Sequence, residues 1–376
     1  MRILVTGTRA PAALHIARLL ANAGHDVLTA DALLSPLCRG DEEFVDRLRY
    51  PSPRRQPQDF RAWVVRTLRD ENIELILPCC EEIFHFAHVL EDIQLEHLLY
   101  APSLEMLLRC HDKYAFTQLM WSVGLPHPHT QKIESKETLS QLDTSNAVLK
   151  PVWSRFGHQV MIKPTEADAM TITPTPEAPW VIQEFIPGQE ISIYGVAGKG
   201  RPTALCAYRS EWRAGGAGIC LKPVYGDDIE AFVHTFASRT QWTGQFAFDA
   251  IRTADRGLIP IECNPRATSG VHFFRNATSF SGALFGADLS IPSPKPQCLK
   301  SAMMTLGLKD ALKNGTFSKW REDIASSDDA QHMGLSKTGF CKSLITAAEL
   351  SLRALRHRVS LLEASTYDIS WDGALK

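Results

Sequence analysis

Short apolar runs and longer amphipathic stretches alternate along the first hundred residues, a pattern typical of β-strands separated by helices. The predicted elements are strands at 2–6, 26–30 and 75–77, a glycine turn at 7–11, and helices at 12–23 and 60–70. This order predicts a parallel sheet with helices on both faces. Because ligands usually lie at the carboxyl ends of parallel strands, Glu81 and Glu82 in the exit loop of the third strand are candidates for ligand contact. The alternative is that both acids simply begin the next helix.

The pattern over residues 103–196 predicts two helices followed by short strands. The helices are expected at 103–110 and 112–123, and the strands at 147–150, 160–163, 180–185 and 191–196. Asp112 is a candidate N-cap, with Lys113 just inside the second helix. The strand at 147–150 ends in Lys150, which can aim a point charge into a cleft. Taken alone, a lysine such as Lys113 is also compatible with a solvated surface position.

The most informative stretch is FAFDAIRTADRGLIPIECNPR, residues 246–266. Its alternation predicts strands at 246–251 and 258–263, joined by a turn at 255–257. Glu262 and Asn264 are two residues apart and leave the same face of a strand, and the hairpin partner can bring Asp249 across to them. Three oxygen-bearing side chains on one face suit Mg²⁺ bridging nucleotide phosphates. The competing interpretation is a surface hairpin whose carboxylates are solvated.

Three arginines are candidates for binding an anion. Arg266 follows the hairpin closely enough to face the same phosphates or an anionic intermediate. Arg209 and Arg213 lie in a glycine-rich stretch, 208–218, whose backbone can approach a ligand closely. A flexible surface loop is the alternative interpretation of that stretch.

The last 75 residues change character. Helices are predicted at 303–311 and 341–364, and the second carries one apolar stripe made of Ile345, Ala348, Leu352, Leu355, Val359 and Leu362. We expect this helix to pack on the catalytic core or on another subunit, which makes a homodimer one expected assembly. A membrane-surface role is the weaker alternative.

Composition limits the class of protein. The chain has 376 residues, 44% of them hydrophobic and 22% charged, as in an ordinary globular protein of two or three structural units. A formal net charge of −2 gives no reason to expect nucleic acid as a partner, and no apolar run is long enough to predict a membrane span. Nine irregularly spaced cysteines argue against a disulfide framework or a zinc site, so we expect a reduced, cytoplasmic protein.

The D–x12–E–x–N–P–R pattern formed by Asp249, Glu262, Asn264 and Arg266 resembles the metal-binding core of the ATP-grasp superfamily, most closely the branch with carbamoyl-phosphate synthetase and biotin carboxylase. The Asp112-Lys113 pair followed by Gly124-Leu125-Pro126 resembles the entry to that domain. The resemblance covers about residues 1–290 and implies an α/β (α+β ATP-grasp) fold. Its expected divisions are a Rossmann-like pre-ATP-grasp domain at 1–110, an ATP-grasp domain at 111–300 with a lid at about 126–182, and a mainly helical region at 301–376.

The resemblance also implies which residues bind ATP. Lys113 and Lys150 would reach the phosphates, and the loop 152–158 would cover them, although it has fewer glycines and serines than the family pattern. The set expected around the adenine and ribose is Gln183, Glu184, Ile186 and Glu190. Glu81 and Glu82 would then be candidates for contact with a substrate amine or with another substrate group.

The function implied is an ATP-dependent carboxylate–amine ligase that acts on small molecules such as amino acids. ATP, with Mg²⁺ or alternatively Mn²⁺, would convert a carboxylate to an acylphosphate, which an amine then attacks, releasing ADP and phosphate. Arg266, with Arg209 or Arg213, would stabilise the charge that develops at acyl transfer. The alternatives are a non-catalytic ATP sensor, a carbamoyl-phosphate-synthetase-like phosphorylating enzyme, and an oxidoreductase. The last rests on the Gly7 turn, which lacks the G-x-G-x-x-G spacing.

Overall fold

The computed structural model describes residues 1–38, 43–154, 159–214, 217–330 and 337–373; at 217 and 337–344 only the backbone is described. The sequence-based predictions for residues 155–158 of the phosphate-covering loop, and for Gly215 and Gly216, therefore lie outside the described residues. The strands of the described part form three sheets, which follow one another in chain order.

The N-terminal sheet is parallel throughout, with the strand order β3-β2-β1-β4. Its strands and helices are β1 (Arg2–Thr6), α1 (Pro11–Asn22), β2 (Asp26–Asp31), β3 (Asp46–Arg49), α2 (Pro57–Glu71), β4 (Leu75–Leu77) and α3 (Glu82–Asp92). The prediction of a parallel sheet with helices is confirmed. Strand β3 was not predicted because its sequence, DRLR, is polar and largely exposed, as edge strands often are.

Two helices lead out of this sheet, α4 (Leu104–His111) and α5 (Lys113–Ser122). The side chain of Asp112 accepts hydrogen bonds from the backbone N–H groups of Tyr114 and Ala115, both at 2.8 Å. This confirms Asp112 as the N-cap of α5, and it fixes Lys113 in the first turn, with its side chain directed inward.

The second sheet is small and antiparallel, with the order β5-β8-β6-β7. It contains β5 (Thr130–Ile133), α6 (Lys136–Ser140), β6 (Ala147–Pro151), β7 (Met161–Ile162), α7 (Glu166–Ala169) and β8 (Trp180–Glu184). Ile133, Leu149 and Trp180 belong to its own small core. Lys150 and Gln183, on neighbouring strands, therefore have a rigid base.

The third sheet has the order β13-β12-β9-β10-β11-β14-β15 and is antiparallel except at its β14-β15 edge. Its strands and helices are β9 (Gln189–Gly198), β10 (Arg201–Ala214), β11 (Ala217–Val224), α8 (Asp227–Thr240), β12 (Gly244–Arg252), β13 (Leu258–Asn264), α9 (Ala277–Leu284), β14 (Gln297–Cys298) and β15 (Asp328–Asp329). One face packs on α5 and α8, and the other packs on α1, α9 and the N-terminal sheet. The carboxyl end of the N-terminal sheet is thereby held against the third sheet.

The described part of the glycine-rich stretch, 208–214 and 217–218, is not a surface loop. It forms the end of the β10-β11 hairpin, in which Trp212 is buried and its indole N–H donates to Asp323 at 2.7 Å. The loop alternative was wrong because the apolar residues between the charges pack on the C-terminal helices.

The C-terminal helices are α10 (Lys300–Ala302), α11 (Leu308–Asn314), α12 (Phe317–Ser326), α13 (Lys337–His357) and α14 (Leu361–Ala364), with a π-helical turn at Met303–Gly307. Helix α13 packs on the rest of the chain, as expected, but Ile345, Leu352 and Leu355 of its apolar stripe are exposed. The helix docks through polar groups, since the Glu349 carboxylate accepts from the backbone N–H of Leu34 at 3.0 Å. Among the described helices, none combines the length and apolarity needed to cross a bilayer.

A segment after α14 returns to the N-terminal sheet. Arg9, at the carboxyl end of β1, donates to Asp31 at 2.6 Å and to Asp368 at 2.5 Å, and all three side chains are buried. Ile369 and Trp371 complete the apolar core beside α2 and α3. Residues 365–373, which we call the C-terminal strap, therefore close the N-terminal sheet.

Cys220 and Cys298 form a disulfide between the paired strands β11 and β14. The expectation of an entirely reduced chain was wrong for this pair. Spacing could not predict it, because 78 residues separate the two cysteines and only the sheet register places them opposite one another.

Candidate functional site

Carboxylates from β12 and β13 meet on one face of the third sheet. Asp249 and Glu262 are direct partners in the antiparallel register, and Ser192 on β9 is the next residue in the same row. The Ser192 hydroxyl donates to Asp249 Oδ1 at 2.8 Å, which fixes the carboxylate. Asn264 follows on β13, with its side-chain oxygen 3.2 Å from Arg266 Nη2. The predicted metal-binding residues are thus brought together at one end of the hairpin.

The electrostatics of this pair favour a cation. Burial raises the pKa of Asp249 to about 6, and the neighbouring charge of Glu262 adds to the shift. Two carboxylates and an amide oxygen make the hard donor set that Mg²⁺ prefers. Within the described ranges no three His, Cys, Asp or Glu side chains cluster as a metal site, so Asn264 would have to supply the third oxygen.

Two buried lysines face the acidic pair. Lys113 Nζ lies 3.8 Å from Glu262 Oε2 and donates to the carbonyl of Ser154 at 2.9 Å, where the phosphate-covering loop begins. Lys150 Nζ donates to Gln183 Oε1 at 3.0 Å and to the carbonyl of Ile261 at 3.1 Å. Burial lowers the pKa of Lys150 to about 8, although Glu262 acts in the opposite direction. Through Lys150 the small sheet reaches strand β13 of the third sheet.

The predicted adenine and ribose residues divide into two groups. Gln183 faces Lys150, and Ile186 is buried just after β8. Glu184 points away from them, and its carboxylate accepts from Arg256 at 2.9 Å. Glu190 is half-exposed at the start of β9 and pairs with Arg213 at 2.7 Å.

The predicted anion-binding arginines do not all reach the site. Arg266 donates to Glu81 Oε1 at 3.2 and 3.3 Å, beside strand β13. Arg209 lies on the opposite face: Tyr208 shares the row of Ser192 and Asp249, and adjacent strand residues alternate in direction. Arg209 instead pairs with Glu211 at 3.2 Å, so its predicted role at the transferred group is not supported by its position.

Sequence reasoning missed some members of this cluster. Ser192 carries no local signal, since only its register with Asp249 places it there. The Ile261 carbonyl is a backbone group that no motif identifies. Glu81 was a candidate for ligand contact, but its pairing with Arg266, across 185 residues, depends on how two sheets meet.

Comparisons with known proteins identify the family of one part of the chain. Residues 110–270 match the family model for the ATP-grasp domain. The chain contains an ATP-grasp domain. Within it lie α5, the small sheet and most of the third sheet, including Lys113, Lys150, Asp249 and Glu262.

Solved structures share the α/β fold of the ATP-grasp domain and of the sheet before it. Phosphoribosylamine–glycine ligase from Thermotoga maritima superposes with a TM-score of 0.61 at 16% identity, covering 79% of this chain and 78% of that chain. L-amino acid ligase from Bacillus licheniformis gives 0.60 at 14%, covering 75% and 73%. Biotin carboxylase from Campylobacter jejuni gives 0.59 at 14%, covering 78% and 72%. No curated protein matches the sequence significantly.

Proposed function

We propose that this protein is an ATP-dependent carboxylate–amine ligase acting on small molecules such as amino acids. The observation that carries the proposal is the convergence of Lys113 and Lys150 on the Asp249–Glu262 pair, between the small sheet and the third sheet. Positive groups for phosphates and oxygen ligands for a cation thereby lie within a few ångströms of each other.

In this proposal the two lysines bind the phosphates of ATP. Lys113 would exchange the carbonyl of Ser154 for a phosphate oxygen, which couples phosphate binding to the loop that begins there. Lys150 stays anchored to Gln183 and Ile261. Asp249, Glu262 and Asn264 would hold Mg²⁺, with Mn²⁺ as the alternative ion. When bound, the ion supplies positive charge beside the β- and γ-phosphate oxygens.

The adenosine end would lie along the segment from β8 to β9. Ile186 supplies a buried apolar side chain, and Gln183, three residues earlier, accepts a hydrogen bond from Lys150. Glu190 would accept from the ribose hydroxyls, with its carboxylate held by the ion pair to Arg213. Glu184 would lie at the outer edge of this nucleotide site. There its carboxylate accepts hydrogen bonds from Arg256 and from the backbone N–H of His129.

The chemistry proceeds in two steps. A substrate carboxylate oxygen attacks the γ-phosphorus, the bond to the β-phosphate oxygen breaks, and ADP leaves with the electron pair. An uncharged amine nitrogen then attacks the acyl carbon, the bond from that carbon to the phosphate oxygen breaks, and phosphate leaves with one nitrogen proton. Arg266, partly buried beside Asn264, is the cation placed to stabilise the negative charge of this second step.

The solved structures support the class of reaction through their names. Phosphoribosylamine–glycine ligase and L-amino acid ligase are both named as ligases that take an amino acid. Biotin carboxylase has the same fold but a name that indicates carboxylation. The carboxylate and the amine are therefore what the experiment must identify.

The test measures ADP and phosphate release from Mg-ATP with the twenty protein amino acids, singly and in pairs. We expect release that depends on the amino acids and is lost in Glu262→Ala. Asp255→Ala, an exposed acid in the turn of the same hairpin, is the matched control and should keep full activity. Release of AMP and pyrophosphate would contradict the acylphosphate route. Tight ATP binding without turnover would favour the ATP-sensor alternative.

Two further statements belong to this proposal. We place the protein in the cytoplasm, where ATP and amino acids are supplied, and cell fractionation tests this. We also expect a homodimer, because α13 presents the exposed apolar residues Ile345, Leu352 and Leu355. Light scattering of the purified protein measures the mass of the particle.

A further inference from the structure

Arg209, which does not reach the candidate site, lines a cleft on the other face of the third sheet. The cleft has a volume of about 400 Å³ and opens to solvent. Small-molecule sites usually have volumes of roughly 300–1,000 Å³. The charged residues of its lining are Arg209 on β10 and Lys222 on β11, which are direct partners in the antiparallel register. Among the described residues that line the cleft there is no carboxylate.

Much of the remaining wall is apolar. It is formed by Val224 at the end of β11, by the ring of Tyr225, and by Pro294 and Pro296 before β14. Proline has no backbone N–H, so this side of the cleft offers few donors to a polar ligand. Tyr225 is 64% exposed, while its backbone carbonyl accepts from Arg252 at 3.3 Å. Its ring can therefore cover an apolar group without a change in the backbone.

The ion pairs behind the cleft leave one positive charge. Within the described part of the chain, the cations of this network are Arg209, Lys222 and Lys319. Its carboxylates are Glu211 and Asp323, and each of them pairs with Lys319. Burial alone would raise the pKa of both carboxylates, but their hydrogen bonds and the surrounding cations lower it, so both are ionised at neutral pH. The excess charge suits a monoanion.

Both lining cations keep donors for a ligand. Arg209 approaches Glu211 through Nε, at 3.2 Å, and its side chain is 45% exposed. Its planar guanidinium carries further N–H groups that can bind a carboxylate with two parallel bonds. Lys222 Nζ lies 2.7 Å from Asp323 Oδ1, and an ammonium has more than one donor. An ammonium next to the ligand's carboxylate would meet these two cations and no acid of the lining, so free amino acids are disfavoured.

We propose that this cleft binds small organic monocarboxylates that carry an apolar group and lack an adjacent ammonium. Arg209 and Lys222 hold the carboxylate, and the wall with Tyr225 covers the apolar group. The cleft is separate from the proposed ATP site, because neighbouring strand residues point to opposite faces: Arg209 and Tyr208 do so, as do Gln189 and Glu190. Binding here does not depend on the proposed ligase activity, so its test needs no turnover.

The experiment compares three probes that share one phenyl group and chain length. Isothermal titration calorimetry of the purified protein measures 3-phenylpropionate, its neutral amide, and L-phenylalanine, which adds the ammonium. Each titration is done with and without Mg²⁺ and a non-hydrolysable ATP analogue. We expect 3-phenylpropionate to bind with a Kd of roughly 1 mM or below, about tenfold or more tighter than the other two. The ATP analogue should leave this Kd unchanged.

Arg209→Gln should weaken the binding of 3-phenylpropionate roughly tenfold, because the carboxylate loses its bidentate partner. The variant should fold, since Arg209 is half-exposed and Glu211 keeps its pair with Lys319. Arg201→Gln, which changes an exposed arginine at the start of the same strand, is the matched control and should keep the parental Kd.

A further variant tests the apolar wall. Tyr225→Ala should weaken 3-phenylpropionate roughly threefold or more, because the phenyl group loses a buried contact. It should leave the much weaker binding of acetate unchanged. A parental Kd for 3-phenylpropionate in this variant would overturn the inference.

Four other results would also overturn it. They are no binding of 3-phenylpropionate to the parental protein at about 10 mM, roughly ten times the expected Kd; a parental Kd in Arg209→Gln; displacement of the probe by the ATP analogue; and binding of the amide or of phenylalanine that is equally strong and equally weakened by Arg209→Gln. None of these results would affect the ligase proposal, and an absence of ligase turnover would not affect this cleft.

Discussion

Asp249 shows how a single residue at the site depends on its neighbours. Its carboxylate is partly buried, faces the like charge of Glu262 across the hairpin, and is held by one hydroxyl donor from Ser192. Lys113 and Lys150 stand nearby, but their amino groups bond to other partners, among them the carbonyls of Ser154 and Ile261. The arrangement therefore favours an added divalent cation.

Replacing either carboxylate should weaken the binding of that divalent cation. We expect Asp249→Asn and Glu262→Gln each to reduce Mg-dependent ADP release by roughly a hundredfold or more, because each removes one anionic ligand of the ion. Titration with Mg²⁺ should show a weaker apparent affinity in both. Asp255→Asn, exposed in the turn of the same hairpin, should behave as the parental protein. Parental Mg²⁺ dependence in both site variants would refute the assignment.

For single residues, the sequence predicted a side chain's position correctly where one local rule determined it. Glu262 and Asn264 share a face because strand residues alternate, and a hairpin turn after Arg252 limits where Asp249 can lie. Arg209 was misplaced because its direction depends on which strand pairs with β10 and in what register. No local pattern contains that information.

At the scale of elements, Asp323 fastens α12 to the third sheet, and a disulfide joins two strands of that sheet. Asp323 on α12 accepts from Trp212 and pairs with Lys222 at 2.7 Å, while Cys298 on β14 is bonded to Cys220 on β11. These contacts hold the β10-β11 hairpin, whose tip carries Arg213.

The disulfide can be tested directly. In denatured protein, a reducing agent should add two titratable thiols, because Cys220 and Cys298 are bonded beforehand. Cys298→Ser should show no such gain and should unfold about 2–4 kcal/mol more easily, since the loop of the unfolded chain is no longer closed. Equal thiol counts before and after reduction would contradict the bond.

Helix α13 shows why the amphipathic pattern of an element does not determine what it packs against. Its period of three and four residues correctly predicted a helix with one apolar stripe. The opposite, polar face binds the chain, because Glu349 and Arg353 find a backbone N–H and the Asp368 carboxylate as partners. Those partners lie in segments remote in sequence, so the pattern alone could not predict them.

At the scale of the whole molecule, the C-terminal strap joins the two ends of the chain. Burial alone would raise the pKa of Asp368, but Arg9 and Arg353 outweigh that effect and lower it to about 2. The Arg9 guanidinium is buried between Asp31 and Asp368. Removing one acid leaves a buried cation incompletely paired.

Asp368→Asn should therefore lower the free energy of unfolding by about 3 kcal/mol, measured by urea denaturation. Asp372→Asn is the matched control in the same strap. Its partner Arg54 is about one-third exposed and Asp372 about two-fifths exposed, so the change should be under ~1 kcal/mol. Equal stability of the two variants would show that the buried pair contributes nothing.

A second whole-molecule prediction concerns acid stability. His15 on α1 packs against His272, after β13, with ring centroids 5.0 Å apart, and burial lowers the pKa of His15 to about 4. Because this pKa is lower in the folded than in the unfolded state, the stabilisation is complete above pH ~6.5 and is lost as pH falls towards 4. The loss attributable to His15 should be ~2 kcal/mol at pH 5 and reach ~3 kcal/mol near pH 4.

Urea denaturation at pH 7.5, 6 and 5 measures this loss. His15→Gln keeps a side-chain donor near the Phe274 carbonyl but cannot gain a proton, so its stability should fall less on acidification. The difference between the two proteins isolates the histidine from the titrating carboxylates. A parallel decline of both would show that His15 does not control acid stability.

The strap also has a consequence for synthesis on the ribosome. Arg9 and Asp31 leave the exit tunnel early, yet their partner Asp368 follows 359 residues after Arg9. At typical rates of about 5–20 residues per second, the nascent N-terminal sheet waits roughly 20–70 s for its closing acid. During that time the sheet edge is open to chaperones, and a message truncated before codon 368 yields a chain whose first domain is never sealed.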